Sequence, residues 1–149
     1  MDVRELYQST ILDHNKRPRN FRVPERANRA ARGDNPLCGD KITVHALVED
    51  GVVKDVGFQG SGCAISKASA SLMTESVKGR PVEEVEALFD RFHGLVTASP
   101  TGPVDASDLG KLAVFAGVRE YPVRVKCATL AWHTLRAAVR GESATVKTE

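Results

Sequence analysis

Between Lys41 and Phe58 apolar and polar residues alternate with period two around one tight-turn dipeptide, a pattern that fits a strand pair and no helix. Ile42, Val44, Ala46 and Val48 fall on one face, and Thr43, His45, Leu47 and Glu49 on the other. Asp50-Gly51 supplies the turn, and Val52-Val53-Lys54-Asp55-Val56-Gly57-Phe58 resumes the extended run. The segment predicts an antiparallel hairpin with one apolar face. A single hairpin is marginal in water, so the remaining residues must cover that face.

Helical spacing supplies the cover. Asp2 followed by Glu5 reads as a capping box, and Val3, Leu6, Tyr7, Thr10, Ile11 and His14 share one face of an opening amphipathic helix that Pro18 ends. From Pro18 to Pro36 there is too little periodicity for an element, and the segment is expected to be mostly loop. Gly60, Ser61 and Gly62 interrupt the extended run just before Cys63. Beyond it Ile65, Ala68, Leu72, Met73 and Val77 recur at helical spacing until Gly79, so Cys63 is expected where a strand hands over to a helix. Pro81 at a first helical position, Glu83 and Glu84 in the first turn, and Val82, Val85, Leu88, Phe89 and Phe92 on one face predict a further helix closed by Gly94.

Thr97 to Ser107 is expected to be loop, and Asp108 to cap a short helix bearing Leu109, Leu112, Ala113 and Phe115 that Tyr121-Pro122 breaks. The last helix is expected from about Val125 to Arg140, with Cys127 in its first turn and Gly141 as its stop. Residues 142–149 read as a frayed tail. Helix, hairpin, then helices, with no alternating strand-helix units and no repeat, predicts an α+β fold. It takes the form of a small antiparallel β-sheet, a hairpin or meander, with helices packed on one face. The 149 residues fit one domain.

The bulk composition narrows the function classes. At 42% hydrophobic and 27% charged the chain matches ordinary globular proteins. No signal-peptide layout opens it and no apolar run approaches membrane-spanning length, so a cytoplasmic protein without a membrane partner is expected. Lys16, Arg17, Arg19, Arg22, Arg26, Arg29 and Arg32 crowd one segment, which reads either as a solvated loop or as a basic patch. Without aromatic stacking platforms or a base-reading motif, and with a net charge of +2, nucleic acid is not an expected partner.

Three cysteines in a reducing compartment are core filler or chemistry, not disulfides. They stand 25 and 64 positions apart with no C-x-x-C pair, so spacing alone leaves both readings open. Their surroundings favour chemistry. Cys38 lies in a Pro/Gly turn with Asp40 two residues on, Cys63 follows Gly-Ser-Gly, and Cys127 is expected at a helix start beside Lys126. Zinc accepts thiolate sulfur and carboxylate oxygen in tetrahedral geometry, and Cys38, Asp40, Cys63 and Cys127 would supply four ligands. His14, His45, His93 and His133 lie outside every cysteine motif and read as ordinary histidines, and Trp132 and Phe58 as packing. Ser61 and Ser66 have no histidine or acid close in sequence, which argues against a serine nucleophile.

Three segments, Asn35-Pro36-Leu37-Cys38-Gly39-Asp40, Gly60-Ser61-Gly62-Cys63-Ala64-Ile65-Ser66 and the stretch from Tyr121 through Lys126-Cys127 to Trp132, resemble the cysteine motifs of the IscU/SufU iron-sulfur cluster assembly proteins, in the same order. The resemblance covers nearly the whole chain. Lys126 stands where the IscU branch typically has a histidine, and the Cys63–Cys127 segment is longer than in that branch; both features resemble SufU.

The resemblance implies an IscU-like fold and a zinc ion held by Cys38, Asp40, Cys63 and Cys127. It also implies a SufS-type cysteine desulfurase as partner, downstream iron-sulfur assembly proteins as recipients, and Cys38 as persulfide acceptor. On that reading a desulfurase side chain, such as a histidine, replaces Cys38 on zinc to free its thiolate, and Arg124 and Lys126 steer the anionic persulfide. The alternatives are a scaffold on which an iron-sulfur cluster is built, and a structural zinc module for protein interaction.

Overall fold

A computed structural model describes residues 3–103, 106–107, 109–142 and 144–148, with backbone alone for residues 3, 4 and 6. The order is helix α1 (Val3–Lys16), strands β1 (Arg29–Asn35), β2 (Asp40–Glu49) and β3 (Val52–Ser61), and helices α2 (Ala64–Val77) and α3 (Val82–Thr97). A 3-10 helix (Gly110–Glu120), helix α4 (Pro122–Val139) and a short strand β4 (Val146–Lys147) follow. The predicted caps Asp2 and Asp108 lie outside the described residues. Among the described residues no helix is long and apolar enough to cross a membrane.

The expected hairpin forms one side of the sheet, with β3 at its edge. Strands β2 and β3 pair antiparallel with Val44 opposite Phe58 and Ala46 opposite Val56, and a register shift at Leu47/Val48. Ile42, Val44, Ala46, Val53, Val56 and Phe58 are all buried, which is the face that the alternation marks. The sheet runs β3-β2-β1-β4, an antiparallel meander with β4 added parallel to β1, and the fold is α+β.

Four local expectations change. The stretch expected as loop contains β1, which pairs along its length with β2 from Arg29↔Ala46 to Asn35↔Asp40. Its inward residues are Ala31, Gly33 and Asn35, too small and polar to register as an apolar face. Smallness is what α4 requires there, because a Cβ on Gly33 would run into the Thr134 hydroxyl and the Leu130 side chain. Helix α3 runs through Gly94 to Thr97, because buried Leu95 and Val96 continue the stripe of Val85, Leu88, Phe89 and Phe92 and outweigh roughly 1 kcal/mol of glycine cost.

Tyr121-Pro122 does end the 3-10 helix, but α4 starts at Pro122 and not near Val125: Pro122 is its first residue, where its missing N–H costs nothing. Cys127 is therefore in the second turn of α4, not the first, and receives no unpaired helix-end N–H. The segment read as a frayed tail lays Val146–Lys147 against Gly33 and Asp34 of β1.

The helices cover one face of the sheet. In the core Trp132 stacks on Phe92 at 4.6 Å between ring centroids, and Phe115 meets Phe92 edge-on at 5.6 Å. Phe115 comes from the 3-10 helix, whose length is unusual for its geometry and is held by buried Leu112, Val114, Phe115 and Val118. His14 is a satisfied core histidine, 2% exposed, with Nδ1 2.7 Å from the Ser71 hydroxyl. Burial lowers its pKa.

Candidate metal centre

The turn between β1 and β2 is Pro36 to Gly39, and it carries Cys38. The Cys38 N–H donates to the Asn35 carbonyl at 3.2 Å, and Gly39 takes the left-handed conformation (φ +72°) that lets Asp40 open β2. Cys38 is thus exposed at a hairpin tip while Asp40, two residues on, is 1% exposed beneath it. Cys63 caps the N-terminus of α2 from an extended backbone, its Sγ accepting from the Ser66 N–H at 3.5 Å. Cys127 comes up from α4, 2% exposed.

These elements converge. The Cys127 thiol donates to Cys38 Sγ at 3.3 Å, and the ligand atoms of Cys38, Asp40 and Cys127 all lie within 4.8 Å of one another. Cys63 lies to the side: its backbone N–H donates to Asp40 Oδ1 at 2.9 Å, and its Sγ is not among the ligand atoms gathered within 4.8 Å. Asn35 closes the floor, 0% exposed, with its amide 3.4 Å from Asp40 Oδ2 and 3.5 Å from Cys127 Sγ.

Protons divide unequally among the thiols. The neighbouring Cys127 thiol lowers the Cys63 pKa to about 6 against the opposing effect of burial, with the Ser66 and Ile65 N–H groups helping. Cys127, beside Cys63 and buried, is pushed far up. Of these two thiols Cys63 is the more acidic.

A soft divalent cation fits this donor set. Asp40 is a buried carboxylate with no cationic side chain within ion-pair distance among the described residues, an arrangement that is costly unless a positive charge joins it. Asn35 Oδ1 is buried and without a hydrogen-bond partner. Unbonded sulfurs at 3.3 Å are close to the ~3.7 Å edge of a tetrahedral zinc-thiolate site.

Arg124 and Lys126 lie on the first turns of α4. Arg124 is exposed, stacked over the Tyr121 ring at 5.0 Å, and its charge opposes the burial that raises the Tyr7 pKa. Lys126 is half-buried, and its carbonyl accepts from the Thr148 hydroxyl. The four histidines stay out of the centre; His133, packed against Phe89 and His93, is held near pKa 4 by burial and by Arg136.

Two residues near the centre were not singled out from sequence. Asn35 has a signal in retrospect, since it is the last inward residue of β1, but that follows only once β1 is known. Tyr7 reaches the edge of the centre from α1, its hydroxyl buried without a hydrogen-bond partner and close enough to Cys63 to feel its charge.

A family model for the NifU-like N-terminal domain matches residues 6–128. The iron-sulfur cluster assembly scaffold protein IscU of Streptococcus pyogenes serotype M1 is 37% identical over 138 residues, 93% of this chain and 85% of that protein. The zinc-dependent sulfurtransferase SufU of Bacillus subtilis (strain 168) is 37% identical over 137 residues, 92% of this chain and 91% of that protein. Among solved structures, FiSufU of Fervidobacterium islandicum AW-1 superposes with a TM-score of 0.82 at 32% identity, covering 91% of this chain and 97% of its own. A family match over most of the length, joined to relatives aligned nearly end to end, leaves one assignment: the chain belongs to the NifU-like N-terminal domain family, alongside the proteins named IscU and SufU.

Proposed function

We propose that this protein is a zinc-dependent sulfurtransferase that accepts persulfide sulfur from a SufS-type cysteine desulfurase and passes it to downstream iron-sulfur assembly proteins. The observation behind the reading is the asymmetry of the centre: Asp40 and Cys127 are buried, while Cys38 stands exposed at a hairpin tip within reach of both. Cys38 and Cys63 are both exposed, and Cys38 is the one set against buried Asp40 and Cys127, which suits exchange of that sulfur.

In this reading Cys38, Asp40, Cys63 and Cys127 hold the zinc. When bound, zinc keeps its cysteine ligands as thiolates and lowers their nucleophilicity. The chain's own residues do the rest. The Cys38 thiolate attacks the terminal sulfur of the desulfurase persulfide; a new S–S bond forms on Cys38, the old one breaks, and the desulfurase cysteine leaves as a thiolate. Arg124, exposed on α4, draws the anionic persulfide toward the hairpin tip, and Lys126 adds positive charge on the same turns. The Asn35 amide keeps Asp40 and Cys127 oriented while Cys38 is engaged elsewhere. Free thiols suit the reducing cytoplasm as the place of action.

The scaffold reading keeps a specific argument, because an IscU-named relative is as similar as the SufU-named one and the Cys38 and Cys127 sulfurs lie together beside Asp40. Lys126 ahead of Cys127 favours the transfer reading. The test pairs metal analysis of the purified protein with desulfurase turnover. Wild type is expected to carry about one zinc per chain and to accelerate alanine release from cysteine, and Cys38→Ala to lose the acceleration. Full stimulation by Cys38→Ala rejects the transfer mechanism. A stable, transferable chromophore after anaerobic iron and sulfide loading selects the scaffold reading.

A further inference from the structure

Cys38 and Cys127 meet sulfur to sulfur. The Cys127 thiol donates to Cys38 Sγ at 3.3 Å, about 1.3 Å more than the ~2.05 Å of a disulfide bond. Cys63 Sγ stands outside the gathered ligand atoms and accepts from the Ser66 N–H at the start of α2. The pair therefore has a chemistry that the third cysteine does not share.

The two sulfurs differ in access and in mobility. Cys127 is held on the second turn of α4, 2% exposed, with buried Ala128, Leu130 and Ala131 after it. Cys38 is exposed on the turn between β1 and β2. Leu37 beside it is 63% exposed, and the space around Gly39 on its other side holds no atom within 4 Å of where a Cβ would stand. The turn, and not the helix, is the part free to close the remaining distance. An exposed thiol backed by a second thiol at contact is the arrangement that oxidants convert to a disulfide.

We propose that Cys38 and Cys127 form a site of reversible oxidation, closing to a disulfide when a small-molecule disulfide meets the metal-free centre. The Cys38 thiolate attacks one sulfur of the reagent; a mixed disulfide forms on Cys38, the old S–S bond breaks, and one small thiolate leaves. The Cys127 sulfur, already in contact, attacks Cys38 Sγ, and the second small thiol departs with the Cys127 proton. Two cysteine thiols are oxidised and one small disulfide is reduced to two thiols. The new bond uses both sulfurs that stand beside Asp40, so disulfide and cation exclude each other. A bound cation lowers the nucleophilicity of its thiolates and slows the first step. Reopening begins from the exposed side, where an outside thiol attacks Cys38 Sγ and frees Cys127. That the closed form also lacks its sulfur acceptor rests on the function proposed above.

The test treats the full chain, stripped of metal or loaded with zinc, with oxidised glutathione at neutral pH under argon, then alkylates the free thiols and maps them by mass spectrometry. Metal-free protein is expected to yield a linked Cys38–Cys127 peptide with Cys63 alkylated and no glutathione retained, and dithiothreitol to restore all thiols. Cys127→Ala is expected to keep glutathione on Cys38, and Cys63→Ala to close the disulfide as wild type does. Zinc-loaded protein is expected to react at least about tenfold more slowly. A lasting glutathione adduct on Cys38 of the wild type, a disulfide that contains Cys63, or equal rates with and without bound zinc overturns the proposal. Metal analysis that finds no zinc taken up counts against the function proposed above and leaves the metal-free result standing.

Discussion

Two neighbouring thiols do not share charge evenly, and here the one that holds its proton more tightly is the buried one. Cys127 keeps its proton, and Cys63 carries the negative charge at the start of α2, where unpaired N–H groups meet it. In metal-free protein the alkylation rate of Cys63 by iodoacetamide should therefore rise through about pH 6 and level off by neutrality, while Cys127 stays unmodified, as read by mass spectrometry. Cys127→Ala removes this neighbour, so the Cys63 inflection should move up toward the ~8.5 of a free thiol. The sign for stability follows the same direction. A folded pKa below the unfolded one contributes stability above the unfolded value, and that contribution is lost as pH falls through about 6. Asn35 acts on the same atoms from below. Asn35→Ala is expected to lower metal affinity about 10- to 100-fold in a chelator competition with the circular dichroism unchanged, because it orients ligands without bearing the core.

At the scale of elements, the hairpin and the handover from β3 to α2 were legible because alternation and helical spacing are strong signals, and both bracket a cysteine motif. Strand β1 was hidden because its buried positions are Ala31, Gly33 and Asn35, residues chosen to let α4 approach and to hold Asp40, not to form an apolar stripe. Its absence from the reading also concealed that Cys38 sits on a hairpin tip. Pro122 misled for a related reason: a proline reads equally as the end of one helix and the first residue of the next. That error placed Cys127 one turn too early and credited it with helix-end N–H groups that Cys63 has instead. The loop Gly60–Gly62 separates stability from site geometry. Gly62→Ala pushes against Asp40 Oδ1 and should release the metal while changing the urea midpoint little. Gly60→Ala forces a non-glycine residue to φ +147° against the Lys41 carbonyl and should cost about 1–3 kcal/mol in the same denaturation. Equal stability of the two variants would contradict this division.

Over the whole molecule the centre and the core are separate. The centre gathers Cys38, Asp40 and Cys127 at the sheet end where β1 turns into β2, with exposed Cys63 nearby where β3 hands over to α2; the core lies beneath the sheet around Trp132, Phe92 and Phe115. On the function proposed above, a metal held at this centre would stabilise the fold by mass action, but the apolar face of the sheet remains covered without it. Trp132, the chain's single tryptophan, is 1% exposed and stacked on Phe92, so its fluorescence reports the core and not the centre. Stripping the metal with a chelator at neutral pH should therefore lower Tm while leaving the tryptophan spectrum at 25 °C that of a buried indole and the melt a single cooperative transition. Phe92→Ala gives the opposite pattern, a loss of about 3–5 kcal/mol with metal still bound. A chelated protein whose tryptophan is already exposed at 25 °C would mean that the cation holds the fold, and would turn the reading of this centre from sulfur exchange to structural support.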